Sequence, residues 1–440
     1  MTTSPPTLNT PLKIGRVTVP NRLYRAPLLE CAGNGADAVD TYIRELEPAA
    51  EAGAGLIFQG ASIVTPDGGC AAPNMTRVHD PEFVKELSRL TDRIHEHDSR
   101  IFIQLAHGGL RSMSMWHSEF HRKNPTVGQK AVSTPPWQMR LADRFGFINL
   151  DAAVLSTQEV RELAEAFGRA AGYAVDAGYD GIHLSGANMG IIQQFLSPYY
   201  NDRDDEFRDG VRFLGAIHDA IREHAGNVPL VTKLPLETVS PPFVRQYLTA
   251  DDIVTMAQRL EAVGYDAVVP VEVSVFWDMS VIRGAYPERA WEAESLQDEY
   301  ASVFGSSLRA KTVSVLNRLE GYWYGEKPAW NEGICRQVRE AVSIPVLAEG
   351  GIRSRRDCDR LLGDGDEPPA ADLVGMGRPF YAEPKLPARI LHGDERVLCE
   401  SCNNCTVPQA AGEPGRCRTP RIVRARARLE RDGAYERERN

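Results

Sequence analysis

Ile344-Pro345-Val346-Leu347-Ala348-Glu349-Gly350-Gly351, and after it Asp372-Leu373-Val374-Gly375-Met376-Gly377-Arg378-Pro379, decide the fold of this chain. Each is a short apolar run without strict alternation that ends on glycine, as a parallel strand buried on both faces does. Six similar runs precede them: Arg22–Leu28, Gly55–Val64, Ile101–His107, Gly181–Ser185, Leu230–Leu236 and Ala267–Val273. Amphipathic helical patterns separate them, including Val84–His97, Gln158–Ala177, Phe213–His224, Ala250–Val263 and Cys335–Val342. Eight strand–helix repeats predict an α/β fold of the (β/α)8 TIM-barrel type. The alternative, a doubly wound open sheet, wants a glycine-rich phosphate loop after its first strand, and Arg25-Ala26-Pro27-Leu28-Leu29 has no glycine there. Glycines at the ends of the last two strands expose backbone N–H groups and Arg378 adds a cation, which suits the phosphate site that barrels build after strands seven and eight. Simple tight turns are the competing reading of the same glycines.

The barrel with its loops is expected over residues 1–392. Long insertions follow strand three, at 108–152, and strand six, at 274–331, both on the C-terminal face where barrel enzymes place their chemistry. A metal-binding segment is expected at 393–420 and a basic tail at 421–440. The segment carries Cys399-x2-Cys402-x2-Cys405-x11-Cys417, half of the chain's eight cysteines. Four thiolates so close together suit either tetrahedral zinc or a [4Fe–4S] cluster. Zinc modules usually pair two CxxC knuckles, so the triple run with one distant ligand leans to iron–sulfur. Reduced free thiols or disulfides are the plainer alternative.

With 440 residues, 42% of them hydrophobic and 25% charged, the chain suffices for one large buried core. A formal net charge of -10 argues against general nucleic-acid binding. The polar stretch Met1–Pro11 has no apolar export segment, and no run of eighteen apolar residues occurs, so a cytoplasmic location away from membranes is expected. The Arg-rich tail reads as a solvated helix, with an interaction arm as the alternative.

Several motifs occur in a specific order. They are Pro20-Asn21-Arg22-Leu23 with Ala26-Pro27, Gln104-Leu105-Ala106-His107-Gly108-Gly109, Gln194-Phe195-Leu196-Ser197-Pro198, Pro345 to Gly351, and Gly377-Arg378-Pro379. From about Pro11 to Cys417 the chain resembles the FMN-dependent old yellow enzyme family. The four cysteines make it similar to the iron–sulfur branch that includes trimethylamine dehydrogenase and 2,4-dienoyl-CoA reductase.

That resemblance implies an FMN site. Ala26, Pro27, Leu28, Leu29 and Ala61 would line the flavin, and Gln104 would bond its pyrimidine edge. Lys233 would stand by the N1/C2 carbonyl as the positive charge that favours anionic reduced flavin, and Gly350, Gly351, Gly377 and Arg378 would hold the phosphate. Cys399, Cys402, Cys405 and Cys417 would ligate the cluster, with NAD(P)H as reductant. Without the resemblance, Gln104 reads as a satisfied buried amide and Lys233 as half of an ion pair inside the barrel.

The chain departs from the pattern after strand four. Relatives there carry His-x-x-His or His-x-x-Asn and then a proton-donating Tyr; this chain has Ser185-Gly186-Ala187-Asn188-Met189-Gly190. Ser185 and Asn188 retain an anchor for a substrate oxygen but no near-neutral proton donor. Leu29 also stands where relatives often have Thr or Cys. Replacement acids are sought in Asp278, Tyr199, Tyr200 and His183, with Asp278 leading and His183 equally readable as structural.

The second insertion is aromatic-rich, with Phe276, Trp277, Tyr286, Trp291, Tyr300, Phe304, Tyr322, Trp323, Tyr324 and Trp330. Such residues either stack a planar substrate or cradle an ammonium group, or they pack a small core of their own. Gly60 stands where trimethylamine dehydrogenase has a cage aromatic, against the ammonium reading.

The resulting expectation is an FMN- and [4Fe–4S]-dependent oxidoreductase that reduces an activated C=C bond with NAD(P)H. Oxidative dehydrogenation or demethylation of an amine is the alternative within enzymes, and a non-catalytic flavin-binding subunit the alternative outside them. Expected partners are a small-molecule substrate, a redox protein and further copies of the chain.

Overall fold

A computed structural model describes residues 7–238, 244–364, 368–393 and 396–436. The first six residues of the polar N-terminus and residues 437–440 of the basic tail lie outside the described residues.

Eight parallel strands form the centre: β1 (Leu23–Arg25), β2 (Leu56–Ile63), β3 (Arg100–Ala106), β4 (Gly181–Leu184), β5 (Leu230–Glu237), β6 (Ala267–Val273), β7 (Leu347–Glu349) and β8 (Leu373–Met376). Each pairs with its neighbour in sequence, and β8 pairs with β1. The ring closes between β6 and β7, where Val268 bridges Val346 in parallel and its N–H donates to the Pro345 carbonyl at 3.2 Å. The chain is therefore a (β/α)8 barrel.

The first and seventh strands, at three residues each, fall furthest short of their apolar runs, for one reason. Proline has no N–H for the ladder: Pro27 follows β1 closely, and Pro345 keeps β7 from starting at Ile344. The expected helix Val84–His97 is two helices, Pro81–Glu86 and Ser88–His95, joined at Leu87.

Inside the barrel Tyr24, Leu56, Phe58, Phe102, Val231, Val269, Leu347 and Leu373 form one fully enclosed cluster. A hairpin of Leu12–Ile14 and Val17–Val19 adds Ile14 and Val19 to it. The apolar faces of the outer helices, among them Thr157–Asp176, Gly210–Ala225 and Ala250–Val263, bury a second and larger cluster against the strands. Their starts are well defined: Ser156 with Glu159 and Thr249 with Asp252 form reciprocal capping boxes.

The first insertion contains a 3-10 turn, Gly109–Arg111, the short helices Met113–Trp116 and Ser118–Lys123, and a two-stranded parallel sheet of Gln129–Ala131 with Ala152–Val154. The second insertion is helical, with Glu288–Trp291, Gln297–Phe304 and Ser307–Trp323. Helix Pro420–Arg431 follows the cysteines, as the solvated-helix reading of the tail expects.

Candidate active site

The C-terminal ends of the strands open into a cavity of about 480 Å3. Its lining includes Ala26, Pro27, Leu28, Leu29, Ala61, Gln104, Ser185, Asn188, Lys233, Asp278, Gly350, Gly351, Gly377, Arg378 and Cys399. The residues expected to line FMN, together with Ser185, Asn188 and Asp278, thus border one space, with Cys399 as the one cysteine of the four on its wall. Tyr199, Tyr200 and His183 are not among its walls.

The reasons are local. Ala26 to Leu29 follow β1, where the chain runs over β2 so closely that a Cβ on Gly60 would stand 1.5 Å from the Leu28 carbonyl oxygen. No side chain fits at Gly60, so an aromatic there is excluded by the backbone itself. Beneath them Arg25 and Glu30 form a fully buried pair at 2.8 Å, and Glu30 also accepts from the Gly60 N–H.

Gln104 donates to His183 Nδ1 at 3.0 Å. His183 is fully buried against the Phe58 ring, and burial together with the Lys233 charge holds its imidazole neutral. It orients Gln104 and supplies no proton to the cavity, which settles the two readings of that residue in favour of structure. Tyr200 is likewise structural, its hydroxyl donating to the Val275 carbonyl. Lys233 forms an ion pair with Glu349. The pairing read as the plainer alternative is what the protein has, and it places a carboxylate next to the cation expected to face the flavin.

The phosphate end is built on glycines that have to be glycines. Gly350 and Gly351 have φ of +101° and +71°, and a Cβ on Gly350 would lie 2.8 Å from the Trp330 ring. Asn331 holds this corner, donating to the Glu349 carbonyl at 2.8 Å and accepting from the Glu272 N–H at 2.8 Å. Arg378 is held by two bonds: Nη1 donates to Asn403 Oδ1 and Nη2 to the Arg283 carbonyl at 2.8 Å. Arg353, which the sequence reading did not single out, also lines the cavity and keeps one buried Nη2 without an acceptor. Burial first, and the Arg353 charge in addition, lower the basicity of Arg378, while the cysteines oppose the shift.

The cysteine segment docks on the same face. Ser401 and Asn403 have φ of +53° and +56°, which coils the run between Cys399 and Cys405. The Ala285 N–H donates to the Ser401 carbonyl at 2.9 Å, and Asn403 donates to the Ala285 carbonyl at 3.1 Å. A Cβ on Gly284 would meet the Ser401 carbonyl oxygen at 2.3 Å, so this approach needs glycine. All four thiols are free, and Cys405 feels the charges of Cys399, Cys402 and Cys417. Burial raises its thiol to about 12, although Arg378 opposes the rise. Among the described residues no three His, Cys, Asp or Glu side chains are arranged to hold a single metal ion.

Part of the cavity wall is aromatic and charged. Trp116 lies 5.1 Å from Trp277 and 6.4 Å from Phe304, and Trp291 lies 5.9 Å from Phe304. Of the aromatics expected in the second insertion, Trp277, Trp291, Phe304 and Trp330 border the cavity. Trp291 also shares a small core of the insertion with Tyr300 and Tyr286, while Tyr322 and Trp323 are exposed. Part of that cluster thus faces the cavity and part packs a small core, with Trp291 in both.

Asp278 caps the 3-10 turn Met279–Val281 by accepting from the Ser280 N–H at 2.9 Å, and burial raises its pKa. Glu320, also on the cavity wall, is pushed up to about 7, by burial first and by the Asp278 charge second. Its position on helix Ser307–Trp323 gave no sequence signal. His107, with Nδ1 accepting from the Gly109 N–H at 3.0 Å, is held down to about 3 by burial.

Comparison with known proteins decides the family. The NADH:flavin oxidoreductase / NADH oxidase family matches residues 7–269. The chain belongs to that family. This flavin oxidoreductase is 27% identical to the 4,4'-dithiodibutanoate disulfide reductase of Rhodococcus erythropolis, over 98% of this chain and 100% of that one. It is 26% identical to the metal reductase of Desulforamulus reducens, over 90% of this chain and 50% of that protein. The chain spans about half the length of several curated relatives that it matches. Its fold aligns with 2-naphthoyl-CoA reductase at a TM-score of 0.69 (17% identity, 95% of this chain, 57% of that one) and with morphinone reductase at 0.62 (21%, 91% and 94%).

The residues fit the FMN of this family. An apolar floor, a polar edge at Gln104 and Lys233, and an end with tight glycines and the unsatisfied Arg353 Nη2 match an isoalloxazine, its pyrimidine edge and its phosphate. The oxidoreductase has no helix among its described residues that is long and apolar enough to cross a membrane.

Proposed function

We propose that this flavin oxidoreductase carries FMN and a [4Fe–4S] cluster and uses NAD(P)H to reduce an activated C=C bond. The observation that carries the reading is the continuity of one cavity, whose wall runs from Ser185 and Asn188 past Lys233 to Gly350, Gly377, Arg378 and Cys399.

Bound FMN supplies two-electron hydride chemistry toward NAD(P)H and substrate and one-electron chemistry toward a cluster. Around it Ala26 to Leu29 and Ala61 give an apolar bed that excludes water, and Gln104, fixed by His183, meets the pyrimidine edge. Gly350, Gly351, Gly377, Arg353 and Arg378 hold the phosphate. Cys399, Cys402, Cys405 and Cys417 hold the cluster beside that end, where the Arg378 guanidinium offsets thiolate charge. The hydroxyl of Ser185 and the amide of Asn188 bond the oxygen that activates the double bond. The proton comes from the Asp278–Glu320 pair, since Gly190 provides none. A soluble redox protein is the expected electron partner. Leu308, Leu319 and Tyr322 on the exposed side of helix Ser307–Trp323 support self-association of the chain.

The test is anaerobic purification with flavin and iron determined per chain, followed by addition of NADH or NADPH. Bleaching of the flavin and its reoxidation by an enoate or enoyl thioester is the expected result. Reduction by an amine and not by a nicotinamide would favour the second reading, amine dehydrogenation. That reading draws on the Trp116–Trp277–Phe304–Trp291 wall and the two acids beside it.

A further inference from the structure

Arg111 is a charge that the cavity wall does not balance. It ends the 3-10 turn after β3, lines the cavity, and lies with its guanidinium carbon 4.7 Å from the centre of the Trp277 ring. Its Nη1 donates to the Asn188 carbonyl at 2.9 Å, and its Nε is buried without an acceptor. Among the described residues no carboxylate pairs with it.

Leaving a buried charged donor unpaired is costly, and such groups normally have a partner. Burial lowers the Arg111 pKa to about 9, which still leaves it charged at neutral pH. With Nη1 turned to Asn188 and Nε enclosed by the protein, Nη2 is the guanidinium nitrogen left open to a ligand. It offers a charge-assisted N–H bond to a carboxylate oxygen, roughly twice as strong as a bond between neutral groups. The Asn188 carbonyl and the Trp277 face hold the guanidinium from two sides, so little side-chain freedom is lost when a ligand arrives. Asn188 has φ of +62°, which turns its carbonyl to the arginine while its side chain stays on the cavity wall.

We infer that Arg111 receives a carboxylate of the substrate, and that the substrate class is a flat unsaturated carboxylic acid bound as its anion against the Trp116–Trp277 wall. The inference rests on the flavin-cavity reading above and narrows it. A fixed guanidinium in the wall also repels an ammonium group, which sets this class against the amine alternative.

The experiment is calorimetric titration of the flavin-loaded protein with trans-cinnamate and crotonate and with their uncharged amides. Native protein is expected to bind at least one acid about tenfold or more tightly than its amide, the size of effect that charge-assisted bonds carry. Arg111→Gln should erase that preference, and Arg111→Lys should restore only part of it, because an ammonium lacks the planar guanidinium that Trp277 and the Asn188 carbonyl hold in place. Equal binding of acid and amide by native protein, binding of neither acid, or a preference that survives in Arg111→Gln would each overturn the inference. The native acid-to-amide ratio needs no variant, so a misfolded variant does not shield the idea. Flavin content and bleaching by NADH are measured on the same samples. Their failure would strike the flavin reading, whereas a lost acid preference in a protein that bleaches normally strikes Arg111 alone.

Discussion

Lys233 on β5 and Glu349 on β7 form an ion pair across the mouth of the barrel, and the second carboxylate oxygen of Glu349 is buried with no hydrogen-bond partner. The cation proposed to face the flavin's pyrimidine edge therefore works against an adjacent negative charge. Removing either member changes the field on a flavin in opposite directions.

Glu349→Gln should raise the two-electron midpoint potential of the bound flavin, because it removes a negative charge that disfavours the anionic reduced form. Lys233→Met should lower it. A shift of roughly 30 mV corresponds to about 1.4 kcal/mol for two electrons, and changes of at least that size are expected in anaerobic dye-coupled titrations. Three indistinguishable potentials would remove this pair from the flavin's edge.

Arg378 bonds both Asn403 and the Arg283 carbonyl, so it ties the phosphate end of the cavity to the cysteine run. Arg378→Ala should weaken FMN binding about tenfold to a hundredfold, from the loss of a charge-assisted contact of roughly 1.5–3 kcal/mol. Equilibrium dialysis of the flavin-stripped protein against FMN measures this. Unchanged affinity would count against the assignment.

The four cysteines should hold one [4Fe–4S] cluster. Replacing any of Cys399, Cys402, Cys405 or Cys417 by Ser should reduce the iron content and the brown visible absorbance of anaerobically purified protein. The same change at Cys335 or Cys358, both fully buried within the barrel's packing, should leave the iron in place wherever the protein folds. Stoichiometric zinc without iron would refute the cluster.

Glu320 supplies the pH dependence. Its folded pKa of about 7 lies above the ordinary 4.5, so the acid form is present below pH 7 and lost above it. A rate that needs this proton should be level at pH 6 and fall through pH 7. Glu320→Gln should remove that limb, and Asp278→Asn should move it to lower pH by deleting the neighbouring charge. Stability has the same sign: the unfolded chain releases the proton earlier, so the folded state loses stability as pH rises from about 4.5 to 7. A profile that keeps its limb in both variants would exclude the pair as proton source.

The barrel was legible because its signal is local and repeated. Buried parallel strands write themselves as apolar runs, and all eight observed strands fall on the eight runs, trimmed where Pro27 and Pro345 withhold a donor. Gly350, Gly351, Gly377 and Arg378 were legible for a similar reason, since a backbone that must turn sharply at a strand end leaves glycine in the sequence. Arg353, two residues past Gly351, was not, because a single arginine in a loop looks the same whether it faces a cavity or water.

By itself the sequence determined the strand count, the order of the elements and the grouping of four cysteines, all of which depend on neighbours in the chain or on residue type. Only the tertiary structure decided what meets what. It turned His183 inward to Gln104, paired Lys233 with Glu349, and brought Arg111 and Trp116 of one insertion to Trp277, Asp278 and Glu320 of the other. Those contacts join residues far apart in the chain. Their charge states follow from burial and from the neighbours that the closed barrel puts around them, which no local pattern of residues records.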